Sequence, residues 1–237
     1  MLVFWGIASL IILMEKRITP HSVLVVGATG LVGSKLVELL VAEIAITRVI
    51  VVGRKAPAIS NAKIDFHSFD FQDYSLIEHL VLGVHSVYCC IGTTIKIAGS
   101  KDNFRKVDYD IPVNLARLSE KLGVTSFLVI SSLGADARSS NFYLKTKGEM
   151  ENAVAANKIA KIAFFRPSLL LGPRSESRPF ETFMKVFFAI FGFLMIGVLK
   201  KFKPIYYDVV AQAMVRVSYS SNNVKVYETD EIRWIGR

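Results

Sequence analysis

Cysteine is scarce in this chain: of 237 residues only Cys89 and Cys90 are cysteines, and they are neighbours. Adjacent strand residues point to opposite faces, which excludes a structural disulfide between the two and makes them a poor metal pair, so no metal site is expected. Such low usage fits a reducing compartment. Basic clusters are missing too. Twenty-nine Lys and Arg against 20 Asp and Glu give a formal charge of +9, yet no basic run exceeds two residues. That scatter is a poor footprint for nucleic acid, which is not expected as a partner, and a better one for anionic cofactors or an acidic membrane surface. Long apolar runs are also absent. Leu2–Met14 has thirteen residues and Val186–Leu199 fourteen, each short of the roughly 20 that a helix needs to span a bilayer. No repeat or linker divides the chain. With 52% apolar and 21% charged residues, its length suits one α/β domain with a large core.

What the chain does have begins at Ser22–Gly33, SVLVVGATGLVG. Val23–Val26 has the pattern of a buried strand, Gly27, Gly30 and Gly33 follow at three-residue intervals, and Leu31, Val32, Leu36, Leu39 and Leu40 recur at helical spacing. Strand, glycine turn and helix together point to dinucleotide binding. Gly27 permits the tight turn, Gly30 lets backbone N–H groups approach a pyrophosphate, and Gly33 lets the helix pack on the strand; the helix dipole favours the phosphates.

Further strands are predicted at Arg48–Val52, Ile64–Phe66, Ser86–Cys90, Phe127–Ile130 and Ile162–Phe165, with a last short one at Val224–Tyr227. The intervening segments read as helices at Leu76–Leu82, at Phe104–Leu122 with a start or kink near Pro112, and from Tyr143 through Val154. A further helix begins at Tyr206–Tyr207–Asp208, with Asp208 as its cap. The alternation implies an α/β, Rossmann-type, doubly wound parallel sheet. Arg54 and Lys55 stand just after the second strand, where a carboxylate would accept the adenosine ribose of NAD. A guanidinium there suits the 2′-phosphate of NADP(H) instead. Asp70 and Phe71 follow the third strand, where they could meet the adenine or simply cap a turn. After the fourth strand, Gly92 lets the backbone pass close to the cofactor, and Thr93 and Thr94 can reach phosphate or ribose.

The catalytic set is read from placement. Tyr143 and Lys147 form the chain's only Tyr-x-x-x-Lys pair, in the helix after the fifth strand, which ends in Ser131–Ser132. Residues at i and i+4 share a helix face. A neighbouring ammonium favours the phenolate and so makes the phenol a competent acid or base. Ser132, or alternatively Ser131, donates to a carbonyl oxygen as charge builds on it. The bland alternative is a surface helix after a serine-closed strand.

The segments GATGLVG, VVGRK, CCIGTT, KVDYD, SSLGAD, SSNFYLKTKGEME, FRPSLLLGPR and ESRP, in order between Val23 and Pro179, resemble the atypical, extended-like short-chain dehydrogenases/reductases and, more closely, the Tat-interacting-protein oxidoreductases. The resemblance implies an NADPH-binding fold with the cofactor on Thr29, Gly30, Leu31 and Val32, on Arg54 and Lys55, on Ile91 and Gly92, on Tyr143 and Lys147, and on Leu170 and Arg178. It implies Tyr143 as proton donor. Three departures stand out. Lys55 replaces a second Arg, Asp108 replaces the Asn of many extended relatives, and the Val-Tyr-Gly that sugar-nucleotide epimerases often carry after the serines is absent.

Residues 1–18 are expected to form a hydrophobic extension, either an anchor or a stretch upstream of a domain start near Met14. Residues 19–237 then make a single domain, with 180–237 supplying a substrate or lid region. The expected protein is cytoplasmic, with peripheral membrane contact as an alternative. Its expected activity is NADPH-dependent reduction of a small, apolar carbonyl compound. The rival is a non-catalytic NADPH-binding adaptor, which the resemblance to regulatory Tat-interacting proteins keeps open.

Overall fold

The computed structural model describes residues 21–173, 202–221 and 223–237. The expectations for residues 1–18, for Val186–Leu199 and for Arg178 lie outside these residues. Among them, seven strands form one parallel sheet in the order β3-β2-β1-β4-β5-β6-β9. The strands are β1 (His21–Val26), β2 (Ile46–Gly53), β3 (Ile64–Ser68), β4 (Ser86–Cys89), β5 (Ser126–Ile130), β6 (Lys161–Arg166) and β9 (Val224–Glu228). The order reverses between β1 and β4, which opens a crevice at their carboxyl ends, the place where such sheets bind ligands. A separate two-stranded parallel ladder joins β7 (Leu170–Leu171) to β8 (Ile205–Tyr206).

Alternating side chains commit each strand to two cores. Leu24 and Val26 face one, Val23 and Val25 the other, and all four are buried. On the first face lie α2 (Glu78–Val81), α5 (Ile111–Lys121) and α6 (Phe142–Ala155), contributing Leu80, Leu115, Met150 and Val154. On the second lie α1 (Leu31–Ala42), α7 (Tyr207–Ser218) and α8 (Thr229–Ile235), contributing Leu36, Leu40, Met214 and Ile232. This is the expected doubly wound fold. The described part of the region assigned to a lid is built into it, because β9 completes the sheet and α7 and α8 cover its second face.

Two local expectations need correction. The helix expected over Phe104–Leu122 starts earlier, at Lys101, while the irregularity expected near Pro112 is present: α4 (Lys101–Arg105), a π turn (Lys106–Asp110) and α5 run on continuously. Pro112 lies in the first turn of α5, and its ring would press on the Asp108 carbonyl in a regular helix. The π turn resolves the conflict, with Ile111 N–H bonded to Lys106 O. Asp208 is not the cap of α7. Tyr206 holds that position, and the Asp208 carboxylate accepts from Val209 N at 2.8 Å. The Thr94 hydroxyl oxygen accepts from Ile97 N at 3.2 Å and caps the short α3 (Ile95–Ala98), which leaves its O–H free to donate. No helix of the described residues is long and apolar enough to cross a membrane.

Candidate functional site

The site is the carboxyl edge of the sheet, and the glycine turn is its tightest part. Gly27 has φ +84°, and a Cβ there would stand 2.6 Å from the Cys90 carbonyl carbon and the Ile91 nitrogen. A Cβ on Gly33 would fall 2.1 Å from Gly27 O. Only glycine fits either position, so the turn is pressed between β4 and the start of α1. Gly30 and Thr29 face outward and are exposed. The first turn of α1 has neither a side-chain cap nor an acidic residue, so its N–H groups and positive dipole end are open to an anion. This is what a dinucleotide's pyrophosphate requires, and the residues present fit it. Leu31 and Val32 open that helix, Val32 buried in the second core.

Arg54 and Lys55 are exposed just beyond β2, and among the described residues no carboxylate pairs with either. Asp70 is also exposed, with its carboxylate accepting from Gln72 N at 3.1 Å. Phe71 adopts φ +67°, a strained conformation for a bulky residue, and its ring lies 5.0 Å from that of Phe69. Ile91 and Gly92 leave β4 towards the glycine turn, and Thr93 N–H donates to Asp108 Oδ2 at 2.9 Å. Leu170 lies in β7, and a Cβ on neighbouring Gly172 would reach within 3.2 Å of Leu31.

Beside this edge, α6 presents Tyr143 and Lys147. Gly148 lets the helix seat against the serine loop, since a Cβ there would stand 2.2 Å from Ala137 N. Asp136 N–H donates to Leu144 O at 3.2 Å, which adds a second tether. The loop therefore holds Ser131 and Ser132 next to the helix. The Ser131 hydroxyl is buried without a partner, whereas Ser132 makes only a long bond to Leu133 O at 3.4 Å. The Tyr143 ring packs 5.6 Å from Phe104. Lys147 is only 3% exposed. Its Nζ lies 2.8 Å from Asp108 Oδ1 and 3.5 Å from Ile130 O. Burial alone would lower the lysine's pKa; the Asp108 carboxylate and the Tyr143 phenol outweigh it and hold the ammonium form above its ordinary range. Nearby Cys89 is fully buried, and burial pushes its thiol up to about 12, so it is neutral.

The sequence reading placed no partner on Lys147. Asp108 carried a signal only as an odd residue in KVDYD, and nothing in linear spacing ties it to a lysine 39 positions on. Arg178 lies outside the described residues, so its assignment has no structural counterpart here.

The sequence model of a family described as NAD(P)H-binding matches residues 27–170. Over 228 residues the chain is 32% identical to "Protein FMP52-1, mitochondrial" of Scheffersomyces stipitis, covering 89% of this chain and 96% of the relative. It is 34% identical to "Protein HTATIP2" of Rattus norvegicus over 177 residues, covering 73% of each. Among solved structures it is similar to Bordetella bronchiseptica WbmH in complex with NAD+, with TM-score 0.67, 16% identity and coverage of 88% of this chain and 75% of that one. A UDP-glucose 4-epimerase of Thermotoga maritima matches with TM-score 0.64, 19% identity and coverage of 88% and 77%. At such identities these two likenesses concern the fold. The expected cytoplasmic location is overturned by the fungal relatives, which are named as mitochondrial proteins. Compartment is set by targeting segments, and the pattern of a folded core carries none of that information.

Proposed function

The chain belongs to the NAD(P)H-binding family that includes FMP52 and HTATIP2, and from that premise we propose that it is an NADPH-dependent reductase of a small, apolar carbonyl compound. The observation that carries this reading is Lys147, buried one turn after Tyr143 with its Nζ 3.5 Å from Ile130 O, at the end of the strand that runs into Ser131–Ser132, together with the uncapped helix start after the glycine turn. Arg54 and Lys55, exposed and without a carboxylate partner among the described residues, support NADPH over NADH, because a dianionic 2′-phosphate matches a guanidinium. Ile95 and Ile97, exposed on α3 directly after the Ile91–Thr94 loop, support an apolar substrate. The mitochondrial names of the fungal relatives support a mitochondrial location.

NADPH supplies the hydride when bound. Thr29, Gly30, Leu31 and Val32 would hold its pyrophosphate, Arg54 and Lys55 its 2′-phosphate, and Asp70, Phe71, Ile91, Gly92, Thr93 and Leu170 would line its path. Ser132 donates to the substrate oxygen, with the unpartnered Ser131 hydroxyl as the alternative donor. Tyr143 gives its phenolic proton to that oxygen, and the Lys147 ammonium stabilises the phenolate left behind. Replacing Tyr143 by Phe removes the proton and little else. Turnover of NADPH against aldehydes, ketones and quinones is expected to fall about 10²- to 10⁴-fold, with cofactor affinity nearly unchanged. Full turnover in Tyr143→Phe contradicts the assignment. Tight NADPH binding by a wild type that reduces nothing in the panel favours the non-catalytic adaptor.

A further inference from the structure

At the amino edge of the sheet, opposite the candidate site, two histidines are stacked. His21, the first residue of β1, and His85, just before β4, bring their rings to 4.2 Å between centroids, tilted by 34°. Backbone holds both in place. His21 N–H donates to Ala45 O and His85 N–H to Ser22 O, each at 2.8 Å, and Thr125 Oγ1 donates to His85 O at 2.8 Å. His85 Nδ1 lies 2.8 Å from the hydroxyl of buried Ser86. The β1–β2 register shifts between His21 and Ser22, which sets His21 apart from the regular ladder that follows. The groups that bear on the His85 ring are His21 from β1 and Lys161 from β6. Lys161 is fixed there, because its ammonium donates to the carbonyls of Val217 at 3.0 Å and Ser218 at 2.8 Å. Tyr219, at the end of α7, lines the same small cavity as the two rings, and the Glu43 carboxylate just past α1 bears on Tyr219. Among the described residues no carboxylate acts on the His85 ring. Burial, with His21 and Lys161 beside it, therefore holds His85 below the ordinary imidazole range.

We propose that the His21–His85 stack is an acid-sensitive latch, closed while His85 is neutral and opened by its protonation, which frees the start of β1 from β4. Neutral rings stack without cost. An imidazolium held between a second ring and a fixed ammonium has no counter-charge, and opening lets it reach water. His85 takes up a proton more readily in the open form. The closed form is therefore fully stable above the ordinary imidazole value of about 6.5, and it loses stability as pH falls from there through the lowered value of the closed form. Val23–Val26, buried in the two cores, stay in the sheet, so the opening is confined to one end of β1.

The test is amide hydrogen exchange in the full chain at about pH 7.5 and about pH 5, on either side of the imidazole range and corrected for intrinsic rates. The His21 and His85 amides are expected to lose about tenfold in protection at the lower pH, while the amide of buried Val25, further along β1, keeps its own. His85→Asn retains a polar partner for Ser86 and takes up no proton, so protection of its His21 amide is expected to be independent of pH. Should that variant fold poorly, an NMR titration of wild type beside His21→Gln reads the same latch, with the chain's four histidines assigned by single substitutions. The His85 midpoint is expected below about 6.5 in wild type and closer to that value in His21→Gln. Protection unchanged between the two pH values, an equal loss at Val25, the same loss in His85→Asn, or a wild-type His85 midpoint at or above about 6.5 overturns the proposal.

Discussion

Two buried lysines mark opposite ends of this sheet, and they are held in opposite ways. Lys147, on α6 at the carboxyl edge, faces the Asp108 carboxylate and lies beside Tyr143. Lys161 begins β6 at the amino edge and is 2% exposed, with no carboxylate on it among the described residues. Its Nζ donates to the carbonyls of Val217 at 3.0 Å and Ser218 at 2.8 Å, and to that of Ser220 as well. These carbonyls close the end of α7, where a positive charge meets the negative end of the helix dipole. The amino edge satisfies its lysine with backbone and stops there. Among the described residues the carboxyl edge leaves polar groups unspent: a serine without a partner, an uncapped helix start, and an arginine and lysine without counter-charge. Burial of a charged residue is thus a poor guide in itself; what faces the charge is what separates the two lysines.

Paired substitutions break the comparison most forcefully. Lys147→Met is expected to reduce turnover about 10²- to 10³-fold, while Lys161→Met leaves turnover per folded molecule unchanged. Lys161→Met instead leaves three carbonyls short of a donor and costs about 1–3 kcal/mol of stability, read as a lower melting temperature or urea midpoint. Comparable losses of turnover in both variants would erase the distinction.

The glycine turn and Arg54 extend the contrast to the cofactor. Arg54→Asp places a carboxylate where the 2′-phosphate is expected. NADPH affinity is expected to drop about 10- to 100-fold, since hydrogen bonds to charged groups contribute about 1.5–3 kcal/mol, and NADH affinity to change far less. Fluorescence titration with both cofactors measures it. A variant that still prefers NADPH would show that other residues select the phosphate.

The smallest effect lies in the pH dependence of stability, where the two lysines carry opposite signs. Burial lowers the pKa of Lys161 in the folded state. Between its folded and unfolded values the unfolded chain binds more protons, so its contribution to stability rises with pH. The pKa of Lys147 is raised in the folded state, so its contribution is fully present below the ordinary lysine value and is lost as pH climbs through the folded one. Urea unfolding from neutrality to about pH 11, as wild type minus each Met variant, is expected to give one rising and one falling difference. Equal slopes would contradict the assigned environments.

The same contrast explains what could be read before any coordinates existed. Runs such as Val23–Val26 and Phe127–Ile130 announce buried strands because a parallel sheet is covered on both faces, and Gly27 and Gly33 announce the turn because backbone sterics leave no other choice. Tyr143 and Lys147 were legible because they share one helix. Asp108 was not: its partner sits on another element, and the π turn that aims it interrupts a periodicity in which Val107 and Ile111 read as ordinary helix. The Leu170–Ile205 ladder was missed for a related reason, since two-residue strands have no period to detect. Asp208 was assigned by residue type, and a neighbouring backbone N–H competes for its side chain.

The central claim is that the carboxyl edge performs hydride and proton transfer, and the most direct measurement follows the hydride itself. NADPH carrying deuterium at both C4 positions is incubated with the protein and a panel of apolar aldehydes and ketones, and the products are read by mass spectrometry. The account predicts that deuterium appears on the former carbonyl carbon of at least one product, one atom per NADPH consumed, and that Tyr143→Phe slows its appearance. NADPH bound tightly while no deuterium leaves it, with every panel member returned intact, would contradict the account.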